Sequence, residues 1–199
     1  MSIKAIIWDM GGVLVRTEDA QPREALAARL GLSRAELELR VFESEAGRRG
    51  QLGEIEGRAF WEEAGKRFDL GYDEFMQAFF GGDEFDEELL DAIRKLKGQY
   101  KIALLSNAFT DMRRWAAERD GFLEIFDLIV VSAEEGVMKP DPAIYALTLA
   151  RLGVQPGEAV FIDDAAANVE GARAVGMAAI HFRSRAQALA ELSALLEEE

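Results

Sequence analysis

The sequence predicts an α/β fold: a Rossmann-like parallel sheet with helices on both faces, plus a small α-helical cap inserted after the first strand. Three observations predict it. Five short runs are rich in β-branched or large apolar residues, helical stripes lie between them, and one long stretch near the N-terminus has helical patterns but no strand run. Strands alternating with helices imply a parallel sheet wrapped on both faces.

The strand runs are Ile3 to Trp8, Lys101 to Leu105, Leu128 to Val131, Ala159 to Ile162 and Ala178 to Phe182. Each is continuous rather than alternating, as expected of strands covered on both sides. Between them, Leu89, Leu90, Ile93 and Leu96 form one helical stripe, Tyr145, Leu149 and Leu152 a second, and Leu189, Leu192 and Leu196 a third. Pro140 and Pro142 stand at the start of the second of these helices, where a missing N–H costs little. From about Glu18 to Gly82 the pattern is helical only, with Ala25, Leu26 and Leu30, then Phe60, Trp61, Ala64 and Phe68. Gly81-Gly82-Asp83 reads as a hinge back into the core. The expected division is therefore a core of residues 1–15 and 84–199 and a helical cap of residues 16–83. The terminal Glu197-Glu198-Glu199 reads as an acidic tail.

Composition narrows the function. The 199 residues carry 23 basic and 37 acidic side chains, a formal net charge of −14. Such a surface repels nucleic acid and anionic membranes, so neither is expected as a partner. With no cysteine, thiol nucleophiles and zinc–thiolate sites are excluded. The apolar part of Met1 to Trp8 is too short for a signal peptide, and no run reaches membrane-spanning length. A cytoplasmic protein, monomer or homodimer, is the expectation. The single histidine, His181, excludes a His-Glu-x-x-His zinc site and is expected to be structural. Neither a Walker A sequence nor a well-placed dinucleotide fingerprint is found.

Ligands of open α/β sheets bind outside the carboxyl ends of the strands. After the first strand comes Asp9-Met10-Gly11-Gly12, after the second Ser106-Asn107, a few residues past the third Lys139-Pro140, and after the fourth Asp163-Asp164. Carboxylate, hydroxyl, amine and paired carboxylates would thus meet at one edge. Asp9, Asp163 and Asp164 form a hard oxygen site suited to Mg²⁺. One carboxylate can attack phosphorus, and a Lys charge and a Ser hydroxyl can hold phosphoryl oxygens. Each residue also has a plainer reading. Asp9 would cap a turn, Ser106-Asn107 or Asp163-Asp164 would cap the next helix, and Asn168 would steady its loop or face solvent. Phe60, Trp61, Phe79 and Phe80 read as cap core, and Arg48 and Arg49 as a solvated face.

These pieces, in this order, resemble the four motifs of the haloacid dehalogenase superfamily, over almost the whole chain. The resemblance implies that Asp9 is the nucleophile, Ser106 the second motif, Lys139 the third and Asp163-Asp164 the metal-binding fourth, with a small cap between the first two. Catalysis would rest on Asp9, Ser106 and Lys139, and substrate binding on Ser106, Asn107 and Lys139. Asp9, the Gly11 carbonyl, Asp163 and Asp164 would bind Mg²⁺. Gly53-Glu54-Ile55 followed by Phe60-Trp61 also resembles the cap of sugar-phosphate phosphatases and epoxide-hydrolase-like members. The implied activity is Mg²⁺-dependent hydrolysis of a small phosphomonoester, such as a sugar phosphate, through an aspartyl-phosphate.

One position departs from the pattern. Phosphatases of the superfamily usually carry a second Asp two residues after the nucleophile as general acid/base, and here that position is Gly11, as in some sugar-phosphate phosphatases with a similar Asp-x-Gly sequence. Its loss removes a contribution typically of ~10²–10⁴-fold. Two alternatives follow: a 2-haloacid dehalogenase-type hydrolase, which also lacks this Asp but needs no metal, and a low-activity binding or regulatory protein of the same fold.

Overall fold

The computed structural model describes residues 2–197. All five predicted strand runs form strands: β1 (Ala5–Trp8), β4 (Lys101–Ser106), β5 (Leu128–Val131), β6 (Ala159–Asp163) and β7 (Ala178–His181). They make one parallel sheet in the order β5-β4-β1-β6-β7. Two short strands between them in sequence, β2 (Val15–Thr17) and β3 (Asp83–Phe85), pair antiparallel outside that sheet. The sequence reading missed this pair. Each strand is three residues of mixed polarity, and its partner lies far away in the chain.

Helices α1 (Gln21–Arg29), α2 (Arg34–Phe42), α3 (Glu45–Gln51), α4 (Gly57–Arg67) and α5 (Tyr72–Phe80) fill the stretch between β2 and β3. The rest of the chain contributes α6 (Glu87–Leu96), α7 (Met112–Ala117), α8 (Ser132–Glu135), α9 (Pro142–Leu152), α10 (Ala166–Ala174) and α11 (Arg185–Glu197). Glu197 ends α11, while the remaining tail residues, Glu198 and Glu199, lie outside the described residues.

The strands read as continuous apolar runs because both sheet faces are buried. Ile6, Trp8, Ile102, Leu104, Val160 and Ile162 point to a core shared with Leu89, Leu90 and Ile93 of α6 and with Leu192 of α11. Their neighbours Ala5, Ile7, Ala103, Leu105 and Phe161 point the other way, against Ile144, Tyr145 and Leu149 of α9. Each fully buried Leu, Ile or Phe contributes about 1.5–3 kcal/mol relative to exposure. Pro142 is the first residue of α9, with Asp141 accepting from the Ala143 N–H at 2.9 Å, but Pro140 lies before the helix rather than in it.

The inserted helices have a separate core of Leu26, Leu37, Val41, Phe60, Trp61, Ala64, Phe75 and Phe79. Phe60, Trp61 and Phe79 are therefore packing residues, as expected, whereas Ala25 is exposed and not part of the α1 stripe. Arg48 and Arg49 are also exposed, paired with Glu43 and Glu54. The boundaries expected at 15/16 and 83/84 both fall within the β2–β3 pair. Gly81-Gly82-Asp83 is held there rather than left as a free linker. The Gly82 carbonyl accepts from Glu18 N at 2.9 Å and Asp19 N at 3.1 Å. Asp83 accepts from Thr17 Oγ1 at 2.6 Å and from Arg23 at 2.7 Å.

Buried Arg23 ties this crossing to the helices. It donates to the Phe79 carbonyl, Glu38 and Asp83, and its guanidinium sits 4.6 Å from the Phe79 ring centroid. Truncating one partner of a buried ion pair strands the others. Arg23→Ala is therefore expected to lower stability by about 3 kcal/mol in denaturant titration. Arg58→Ala, which removes an exposed pair with Glu62 and a contact with the Tyr72 ring, is expected to leave the denaturation midpoint nearly unchanged.

Candidate active site

Parallel pairing places the strand ends at one level. Trp8 is in register with Leu104 of β4 and Ile162 of β6, so Asp9 emerges between Ser106 and Asp163. The Asp9 N–H continues the ladder by donating to the Ile162 carbonyl at 2.9 Å. The chain then turns tightly, with the Met10 carbonyl accepting from Leu14 N at 2.9 Å and Val15 N at 2.8 Å. Gly12 in this turn has φ +79°, and a Cβ there would lie 2.1 Å from Asp164 Oδ2. Only glycine allows both the turn and the close approach of that carboxylate.

Lys139 is at the centre of the site. Its side chain is 1% exposed, and Nζ donates to Asp9 Oδ1 at 2.6 Å and to Asp163 Oδ2 at 2.7 Å. Nζ also lies 5.3 Å from the Phe161 ring centroid. Asn107 sets the lysine's backbone from both sides: its Oδ1 accepts from Lys139 N at 2.8 Å and its Nδ2 donates to Lys139 O at 2.9 Å. Asp163, fully buried, also accepts from Ala165 N at 2.7 Å and from Asn168 Nδ2 at 3.1 and 3.0 Å. Tyr145 Oη donates to the Asn168 carbonyl at 2.8 Å, so the loop is steadied from beneath.

Asp9, Asp163 and Asp164 each present an oxygen, all within 4.8 Å of one another. Three carboxylates against one ammonium leave a formal local charge of −2 when all are ionised. That excess, on hard oxygen donors, suits a small divalent cation. Burial, reinforced by Asp163 and opposed by Lys139, pushes the Asp9 carboxyl up to about 7. Burial and Asp163 also raise Asp164. For Lys139, burial favours the neutral amine, but the two carboxylates outweigh it and raise its pKa.

The predicted residues Asp9, Lys139, Asp163 and Asp164 thus converge, with Ser106 buried at the adjoining strand end. Gly11 is exposed, in an isolated bridge with Val15, and a Cβ there would meet nothing within 4 Å. Neither Ser106 nor Asn107 caps a helix, because α7 begins at Met112. Asn168 bonds directly to Asp163 rather than facing solvent. His181 Nε2 lies 2.8 Å from the Asp164 carbonyl oxygen, which fits the structural part expected of it. The sequence reading passed over Ser132, whose Oγ accepts from Ala108 N at 3.1 Å and donates to Ala108 O at 3.3 Å. Its signal was available: Ser132 directly follows β5, at the same edge as the other site residues.

Asp9 gives a pH signature in metal-free protein. Its folded pKa, about 7, lies well above the ordinary carboxylate value of 3.8, so the folded state binds the extra proton. Stability from this group is then fully present below about pH 4 and is lost as pH rises through about 7. In chelator, Asp9→Asn is expected to melt at a higher temperature than wild type at pH 8, with the gap closing toward pH 4. Parallel melting curves across that range check it.

Comparison with known proteins identifies the family of the chain. The haloacid dehalogenase-like hydrolase family matches residues 3–176. A D-ribitol-5-phosphate phosphatase of Bacteroides thetaiotaomicron is 29% identical over 214 residues, covering 98% of each chain. Acyl-CoA dehydrogenase family member 10 of Mus musculus is 45% identical over 71 residues, 36% of this chain but only 7% of that longer protein. Among solved structures, a haloacid dehalogenase family enzyme of B. thetaiotaomicron, in complex with magnesium and inorganic phosphate, has the same fold. Its TM-score is 0.76 at 22% identity, with 92% of this chain and 95% of that one covered. On the family match over residues 3–176, the chain belongs to the haloacid dehalogenase-like hydrolases.

Proposed function

We propose that this chain is a Mg²⁺-dependent phosphatase that hydrolyses a small phosphomonoester, such as a sugar phosphate, through an aspartyl-phosphate on Asp9. The observation that carries the reading is the Lys139 ammonium, 2.6 Å from Asp9 and 2.7 Å from Asp163, beside the third carboxylate, Asp164. The full-length relative named for D-ribitol 5-phosphate supports a phosphorylated polyol or sugar as substrate.

In this mechanism Asp9 attacks phosphorus, the bond to the leaving oxygen breaks, and that oxygen takes the electron pair. Water then cleaves the acyl phosphate and returns the free carboxylate. Lys139 fixes Asp9 by holding Oδ1 and places a positive charge where phosphoryl oxygens gather. Ser106 supplies a hydroxyl from the adjoining strand end. Asp9, Asp163, Asp164 and the Gly11 carbonyl would hold Mg²⁺, which supplies charge neutralisation between the carboxylate and the anionic phosphate. The helices between residues 16 and 83 act as the cap that selects the substrate.

Gly11 limits the chemistry, since no carboxyl stands there to protonate a poor leaving group. It is also the observation favouring the second reading, dehalogenation at carbon. Purified protein is expected to hydrolyse p-nitrophenyl phosphate with Mg²⁺ and to stop in chelator. Asp9→Asn is expected to lower that rate by roughly 10³-fold or more. Turnover of a 2-haloacid in chelator, with none of the phosphate ester, would establish the dehalogenase instead. Gly11→Asp, which has open space for its side chain, is expected to raise turnover of alkyl phosphates by roughly 10²-fold. It should hardly change p-nitrophenyl phosphate, whose leaving group needs no proton.

A further inference from the structure

The loop from Ser106 to Asp111 grips a different part of the molecule at each step. Ser106 ends β4 at the site, and Asn107 holds the Lys139 backbone. Ala108 is bonded through both backbone atoms to Ser132. Phe109 leaves the sheet altogether: it is 5% exposed and belongs to the aromatic core of the inserted helices. Its ring stacks on Phe60 at 4.6 Å and an interplanar angle of 20°, and lies 4.5 Å from the ring of Trp61. Thr110 Oγ1 then accepts from Gly57 N, the first residue of α4, at 2.9 Å.

The inserted helices are shaped to receive this loop. A Cβ on Gly50 of α3 would lie 2.4 Å from Phe109 Cε1, and one on Gly57 would lie 2.3 Å from Asp111 Oδ1. Beside them, a Cβ on Gly53 would lie 2.0 Å from the Ala133 carbonyl oxygen, next to Ser132. Three glycines within eight residues thus bring this side of the insertion onto the two loops that frame the site.

We infer that Phe109 is a positioning residue for substrate: it registers the inserted helices against the Ser106–Lys139 end of the site. This rests on the phosphatase reading for its kinetic consequence but not for its structural one. Three residues along the chain from Ser106, the ring converts a shift of the helices into a shift of the loop that holds Lys139. Asp9 is fixed by its ladder bond to Ile162 and Asp163 by Ala165 and Asn168, contacts that do not pass through the loop, whereas Ser106 and the Lys139 backbone lie on it or are held by it. Loss of the ring should therefore weaken binding of the substrate more than it slows the chemistry.

The test compares Phe109→Ala with Phe75→Ala, a cavity in the same aromatic core that does not touch the loop. Phe109→Ala is expected to raise KM for p-nitrophenyl phosphate by about fivefold or more, with kcat within about threefold of wild type. Amide exchange over residues 105–112 should accelerate with it, and Phe109→Tyr should restore both. Phe75→Ala should lower the melting temperature while leaving KM and that segment's exchange unchanged. If Phe109→Ala is too unstable to purify, Gly50→Ala, whose Cβ would lie 2.4 Å from Phe109 Cε1, displaces the same ring and should move KM and exchange in the same direction. Equal effects from Phe109→Ala and Phe75→Ala, or unchanged loop exchange in Phe109→Ala, would overturn the inference. Wild-type protein without turnover would sink the phosphatase reading alone, and the exchange comparison would still decide the coupling.

Discussion

A buried lysine holds this structure's working edge together. Lys139 has given up its hydration, and Asp9 and Asp163 replace it at 2.6 and 2.7 Å. An unpaired charge at such depth carries a heavy desolvation cost, which the pairing offsets. Because the two aspartates follow adjacent strands, β1 and β6, the triad requires that sheet order. The remaining contacts serve the same arrangement: Asn107 sets the lysine's backbone, and Asn168 and the Ala165 N–H take up the other oxygen positions of Asp163.

The triad is incomplete in charge, and that is its chemical capacity. Asp164 brings a third carboxylate against the turn at Gly12, leaving negative charge that a divalent cation or a proton can offset. The rise of Asp9 to about 7 reflects this surplus, with burial as its largest cause. Charge spread over the surface is screened by water, so the local balance of Lys139 against the three carboxylates, not the net charge of the molecule, sets what the site attracts.

Much of the fold is legible from the chain because burial on both faces of a parallel sheet leaves a direct trace. Ile6 and Ile7 must both be apolar when one faces α6 and the other α9. No such trace marks β2 and β3. Val15-Arg16-Thr17 and Asp83-Glu84-Phe85 are short and half-exposed, and their pairing exists only because two distant segments return to the same place. Arg23 is hidden for the same reason. A charged residue on α1 gives no sign that Glu38, Asp83 and the Phe79 carbonyl will surround it.

The sequence by itself determined the α/β class, the five strands, the helical insertion and the residues that could carry chemistry. Each of these depends on local residue type: apolar runs for buried strands, and polar groups directly after them. Only the tertiary structure decided how those groups meet. It placed Lys139 between two aspartates, spent Asn107 on the lysine's backbone, and sent Phe109 away from the sheet into the inserted helices. The physical reason is that hydrogen bonds, ion pairs and close backbone approaches act over a few ångströms in space, between residues that may stand 130 positions apart in the chain.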